Sequence, residues 1–162
     1  MEFENAYGTG AEAELSVNGQ KVLNVESGNN APDITGKYTF TLEGSEGAPM
    51  PENMTAVNDA AGNVIFGKIV YTMENVFGDT GVQDLQKEKD DEKMPEIESR
   101  TKTFTYTVKE SGSAAGVRND TEKVFHVTVT DNGDGTISVD KDYENFAFVF
   151  TNTYKAIGTL DL

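Results

Sequence analysis

Apolar residues in this chain recur at every second position in several short runs with polar residues between them, the period of a half-buried β-strand. Lys37-Tyr38-Thr39-Phe40-Thr41-Leu42-Glu43 alternates without a fault, which sends Tyr38, Phe40 and Leu42 to one face and the threonines to the other. Thr103-Phe104-Thr105-Tyr106-Thr107-Val108-Lys109-Glu110 and Lys123-Val124-Phe125-His126-Val127-Thr128-Val129-Thr130 follow the same rule. An earlier strand is expected through Ala13-Glu14-Leu15-Ser16-Val17, continuing into Lys21-Val22-Leu23. Asn63-Val64-Ile65-Phe66 and Lys68-Ile69-Val70-Tyr71 read as one strand interrupted by Gly67, where a bulge is expected. The final strand is Phe146 to Tyr154, with Phe146, Phe148 and Phe150 facing inward.

Turn signals separate these runs. A Gly/Pro/Met loop spans Gly44 to about Met54, and Asp131-Asn132-Gly133-Asp134-Gly135 joins two strands as a hairpin with glycines placed for positive φ. That acidic turn lacks the alternating oxygen ligands and closing glutamate of a calcium loop, so the hairpin reading holds. Gln83 to Arg100 is different: it is crowded with charge, including Lys87-Glu88-Lys89-Asp90-Asp91-Glu92-Lys93, and reads as a solvated insertion with a short helix before Pro95. Short alternating strands and regular turns predict an all-β sandwich.

The 162 residues suit a single domain large enough for a real core. With 28 acidic against 13 basic side chains, the formal charge of −15 repels nucleic acid and anionic membrane surfaces. No cysteine is present, which removes disulfides, thiolate metal sites and thiol nucleophiles, and the single histidine removes multi-histidine metal centres. No apolar run approaches the roughly 20 residues of a membrane helix. Met1-Glu2-Phe3 lacks the regions of a signal peptide, so an exported form is expected to be an excised piece of something longer. The two ends repeat each other: Phe3-Glu4-Asn5-Ala6-Tyr7 and Phe150-Thr151-Asn152-Thr153-Tyr154 share Phe-x-Asn-x-Tyr. The expectation is a unit of a tandem array, with residues 1–10 a junction from a preceding repeat, 11–155 one domain and 156–162 the start of a link to the next.

Turnover chemistry leaves no trace in the sequence. There is no nucleophile elbow, phosphate loop or histidine-carboxylate metal motif, and His126 falls on the polar face of its strand as a structural residue. No spacing singles out a carboxylate pair of the glycosidase kind. Three polar residues, however, stand where the alternation calls for apolar ones. Counting by two from Ala13, Leu15 and Val17 passes Gly19 and reaches Lys21, if no bulge intervenes. The same step carries Phe104, Tyr106 and Val108 to Glu110, and Phe146, Phe148 and Phe150 to Asn152. The plain alternative is that strand ends approach solvent and long polar side chains snorkel. In an apolar pocket, burial disfavours the charged forms of lysine and glutamate. A neutral amine beside an asparagine carboxamide, with a protonated carboxyl polarising that amide and shuttling the proton, can expel ammonia and leave a Lys–Asn isopeptide bond. Such an event happens once per molecule and is maturation rather than catalysis.

These residues sit in segments that resemble the streptococcal pilin-type isopeptide-linkage domains, relatives of the CnaB-type immunoglobulin-like modules of Gram-positive pilins and surface adhesins. The matching segments are Gln20-Lys21-Val22-Leu23-Asn24, Lys37 to Leu42, Ala56-Val57-Asn58-Asp59 with Gly62 to Phe66, Phe104 to Glu110, and Phe150 to Tyr154, in family order across nearly the whole chain. The resemblance implies a CnaB-type immunoglobulin-like β-sandwich, and the charged loop or short helix near 83–100 is an insertion that departs from the family pattern. The same resemblance implies crosslinking residues Lys21 and Asn152, with Glu110 as proton shuttle, and neither cofactor nor metal. It further implies export and attachment to a Gram-positive cell wall through segments outside this chain, since no Leu-Pro-x-Thr-Gly signal occurs in it. The expected role is a structural stalk or pilin module whose partners are flanking repeats or neighbouring subunits. The alternative is an adhesin module whose loops recognise a host protein or glycan.

Overall fold

Alternation becomes architecture in the computed structural model, which describes residues 12–26, 28, 30–79, 99–112, 117–118 and 120–154. The strands are β1 (Glu12–Val25), β2 (Tyr38–Gly44), β3 (Thr55–Val57), β4 (Asn63–Thr72), β5 (Arg100–Gly112), β6 (Val117–Arg118), β7 (Lys123–Asp131), β8 (Ile137–Lys141) and β9 (Phe148–Tyr154). One short helix, α1 (Met73–Phe77), follows β4. They form two sheets, β4-β1-β9-β6 and β3-β2-β5-β7-β8, that pack as an immunoglobulin-like sandwich. Inward residues of both meet in one core: Phe40 of β2 lies against Phe150 of β9 with ring centroids 5.3 Å apart, and Tyr71 of β4 stacks on Phe104 of β5 at 6.3 Å.

Tyr38, Phe40, Leu42, Phe104, Tyr106, Val108, Phe125, Val127 and Val129 are all buried, as their period requires. In β4 the buried set is Val64 and Phe66, then Ile69 and Tyr71. The change of phase is the bulge expected at Gly67: Val17 pairs with Gly67 and Asn18 with Ile65, so the additional residue lies on β4 while β1 runs on unbroken. The expected hairpin joins β7 to β8, with Gly133 and Gly135 at φ 84° and 94°. Asp131 at its base is buried and holds Arg100 Nε at 2.8 Å.

Three features depart from expectation. Phe146 is exposed rather than inward, because Ala147 and Phe148 are both buried, Ala147 donates its N–H to Asn18 O, and alternation begins at Phe148. The helix expected before Pro95 lies outside the described residues, and helix α1 was not foreseen. Its capping box pairs the Thr72 hydroxyl with the Asn75 N–H and the Asn75 side chain with the Thr72 N–H, while Met73 and Val76 face the core. Strands β3 and β6, too short to alternate, escape a periodic reading. The terminal Phe-x-Asn-x-Tyr copy at residues 3–7, nearly all of the 83–100 insertion and residues 156–162 lie outside the described residues.

The pairing that matters most joins the two ends. Strands β1 and β9 are parallel neighbours, with Lys21 opposite Phe150 and Leu23 opposite Asn152. Gly19 makes this approach feasible, since a Cβ there would meet the Phe148 ring at 2.0 Å.

Candidate functional site

Each of the three polar residues reaches the core for a local reason. On β1 the inward set Leu15, Val17, Gly19 and Lys21 keeps its phase because the bulge falls on β4. The Lys21 N–H is held by Gly62 O at 2.6 Å, at the start of β4. On β9 the inward set is Phe148, Phe150 and Asn152, so Lys21 and Asn152 share a face of two adjacent strands, two residues apart in register. Glu110 comes from β5 in the facing sheet, paired with Phe40 of β2. Tyr38 lines the same space, with Lys21 Nζ 4.1 Å from its ring centroid. Buried Asn58 steadies this wall by accepting the Tyr38 N–H through Oδ1 and donating through Nδ2 to Ile34 O.

The three side chains converge. Lys21 Nζ lies 2.6 Å from Glu110 Oε2, and the two side chains are 0% and 1% exposed. Asn152 is fully buried, and its Nδ2 donates to Glu110 Oε1 at 3.2 Å and Oε2 at 3.4 Å. One carboxyl group therefore contacts both the amine and the amide nitrogen. Burial in the core pushes the Lys21 ammonium below its ordinary range, while the hydrogen bond and charge of Glu110 pull the other way. The amide is oriented from its other end: Oδ1 accepts the backbone N–H of Asp120 at 3.0 Å. These hydrogen bonds take Glu110 to the amide nitrogen and a main-chain donor to the oxygen.

Asp120 escaped the sequence reading because it sits between β6 and β7, where no alternation operates; Asn119-Asp120-Thr121 signals only a turn. His126 lies on the exposed face of β7, its Nδ1 2.7 Å from Asp142 Oδ2, outside this cluster. Among the described residues no group of three or more histidine, cysteine or acidic side chains is arranged to hold a metal ion.

A family model described as FctA, the Spy0128-like isopeptide containing domain, matches residues 17–155, which includes all three residues. Among solved structures the chain is similar to a mutant form of the major pilin from Streptococcus pyogenes, at 13% identity and a TM-score of 0.27 over 88% of this chain. It spans 50% of that pilin's length. No curated protein sequence matches it.

Proposed function

This chain belongs to the family of Spy0128-like isopeptide-containing domains, a pilin-type structural family, and we propose that it serves as a stalk or pilin module tied internally by a Lys21–Asn152 isopeptide bond made with the help of Glu110. The observation that carries this reading is the single buried carboxyl group within hydrogen-bonding distance of both nitrogens, 2.6 Å from Lys21 Nζ and 3.2 Å from Asn152 Nδ2.

The chemistry follows from that placement. Desolvation of Lys21 favours release of its proton, and the carboxyl of Glu110 is the adjacent acceptor, so the nucleophile is a neutral amine. The amine attacks Asn152 Cγ, Glu110 delivers to the departing nitrogen the proton first taken from Nζ, the Cγ–Nδ2 bond breaks, and the carboxylate so freed takes up the second Nζ proton. One amide replaces another and one ammonia leaves, so no oxidant or cofactor is required. Excluding water keeps the carboxamide from hydrolysing and keeps Glu110 available as a carrier. The reaction runs once per chain.

Intact mass is the direct test. The folded protein is expected to weigh one ammonia less than its sequence, and Lys21→Ala, Glu110→Ala and Asn152→Ala are each expected to keep the full sequence mass. A full-mass wild type would sink the crosslink and leave the fold and family standing. Partners on this reading are flanking repeats of the same polypeptide or neighbouring pilin subunits, with residues 1–10 and 156–162 as the junctions, the whole held outside a Gram-positive cell and attached to its wall through other segments.

A second reading, an adhesin module that binds a host protein or glycan, has one observation in its favour. The 44–54 loop and β4 border an open groove of about 580 Å³ lined by Pro49, Met50, Glu52, Phe66, Lys68 and Asn75, among others. A glycan array and a host-protein pull-down separate the two, since a spacer is expected to be silent in both.

A further inference from the structure

The proposed crosslink needs more than a nucleophile and a proton carrier. As the amine adds to Asn152 Cγ, negative charge gathers on Oδ1, and in a water-free core that charge must meet a donor already in place. The backbone N–H of Asp120 stands 3.0 Å from that oxygen. A main-chain N–H can only donate, so it also selects the orientation of the amide, turning oxygen toward Asp120 and nitrogen toward Glu110. The side chain of the same residue locks the loop to β9: Asp120 Oδ2 accepts the N–H of Thr151, the residue before Asn152, at 2.9 Å, and Oδ1 accepts the Thr121 N–H at 2.7 Å. Lys123 Nζ lies 3.0 Å from Oδ2, which offsets a carboxylate charge that would otherwise oppose an oxyanion close by.

We infer that Asp120 completes the crosslinking site, its main-chain N–H acting as the oxyanion donor and its carboxylate as the clamp that keeps this donor aimed at Asn152. The inference rests on the isopeptide reading above. In the first half of the reaction the Nζ lone pair forms the Cγ–Nζ bond and the carbonyl π pair moves onto Oδ1, held by Asp120. In the second half the pair returns, the Cγ–Nδ2 bond breaks, ammonia leaves with the proton relayed from Nζ by Glu110, and Glu110 keeps the second Nζ proton.

The test follows mass loss with time in freshly synthesised chains of wild type, Asp120→Asn, Asp120→Ala and Asp120→Pro. Asparagine retains the N–H and an oxygen for Thr151, so closure is expected within a few-fold of wild type. Alanine retains the N–H without the clamp and is expected to be slower than asparagine. Proline removes the donor, and closure is expected to be about a hundred-fold slower than in the alanine variant. Proline as fast as alanine overturns the oxyanion role, and alanine as fast as wild type overturns the clamp. A wild type that never loses ammonia overturns the isopeptide reading itself, a different result from either. Because Asp120→Pro is open to misfolding, a second measurement uses folded Glu110→Gln, which keeps its amide unreacted. A through-hydrogen-bond NMR coupling between the Asp120 amide nitrogen and the Asn152 side-chain carbonyl carbon is expected there, and its absence overturns the donor.

Discussion

A lysine with no exposed side-chain surface, 2.6 Å from an equally buried glutamate, is an arrangement that core packing alone would not favour. Taking both charges out of water costs several kcal/mol per ion, and a matched apolar pair would often be at least as stable. The pair makes sense if its purpose is reactivity. The sign of the Lys21 shift yields a test on the unreacted protein, Asn152→Ala. Burial, the leading cause, lowers the folded-state pKa below the ordinary 10.5, so the unfolded chain binds more protons in the interval between the two values. Stability from this group is therefore lost as pH falls through the folded-state pKa and grows as pH rises toward 10.5. Buried Tyr71, whose phenol is pushed above its ordinary range, acts in the opposite direction at high pH. The informative quantity is the difference between Asn152→Ala and Lys21→Met/Asn152→Ala, which is expected to narrow as pH is raised in urea titrations. Removing Glu110 alone from the unreacted protein, as Glu110→Leu/Asn152→Ala, strands the lysine and is expected to cost about 3–5 kcal/mol relative to Asn152→Ala.

Among the elements, β1 and β9 do the positioning, and their contact is set where Gly19 meets Phe148. A side chain at 19 would enter the Phe148 ring. Gly19→Val is expected to destabilise the fold by about 1–3 kcal/mol and to slow crosslinking although it touches none of the three reacting residues. Denaturant midpoints and mass-loss rates measured together check this; unchanged values of both would remove β1–β9 register as the determinant. Helix α1 offers a separate control at the far end of β4. Thr72→Ala removes its cap and is expected to cost about 1 kcal/mol without altering the rate of ammonia loss. The alternating elements β2, β5 and β7 were all legible in the sequence, since one buried face imposes a period of two whatever the partner strand. Phe146 was misplaced because parity was extended backward past Ala147, where the chain is not yet a strand. Strands β3 and β6 were missed because three and two residues are too few to show a period.

For the whole molecule, the consequence of the proposed bond depends on the topology. A tie from β1 to its parallel neighbour β9 closes a loop of about 130 residues, and the chain-entropy estimate used for disulfides puts the gain near 5 kcal/mol. Asn152→Ala is expected to melt well below wild type and to fall to protease sooner, read by calorimetry and timed digestion at one protein concentration. Because β1 and β9 lie side by side, a covalent tie between them passes tension across the domain without loading the sheet hydrogen bonds. In single-molecule pulling from the two termini, crosslinked wild type is expected to show no unfolding extension from the residues between 21 and 152, whereas Asn152→Ala is expected to release them. A reducing agent is expected to alter neither, there being no cysteine in the chain.

Alternation and composition were enough to establish an all-β sandwich, to exclude thiol chemistry and to raise Lys21, Glu110 and Asn152 as inward-facing polar residues, because parity along a strand is a local property written in consecutive positions. Which strands become neighbours is not local. That β1 and β9 run parallel, that Glu110 arrives from the opposite sheet to within 2.6 Å of Lys21, and that a turn residue with no periodic signature, Asp120, faces the Asn152 carbonyl were decided by the folded chain. Only a closed core, in which every buried donor must find an acceptor, forces those distant groups into a single set of contacts.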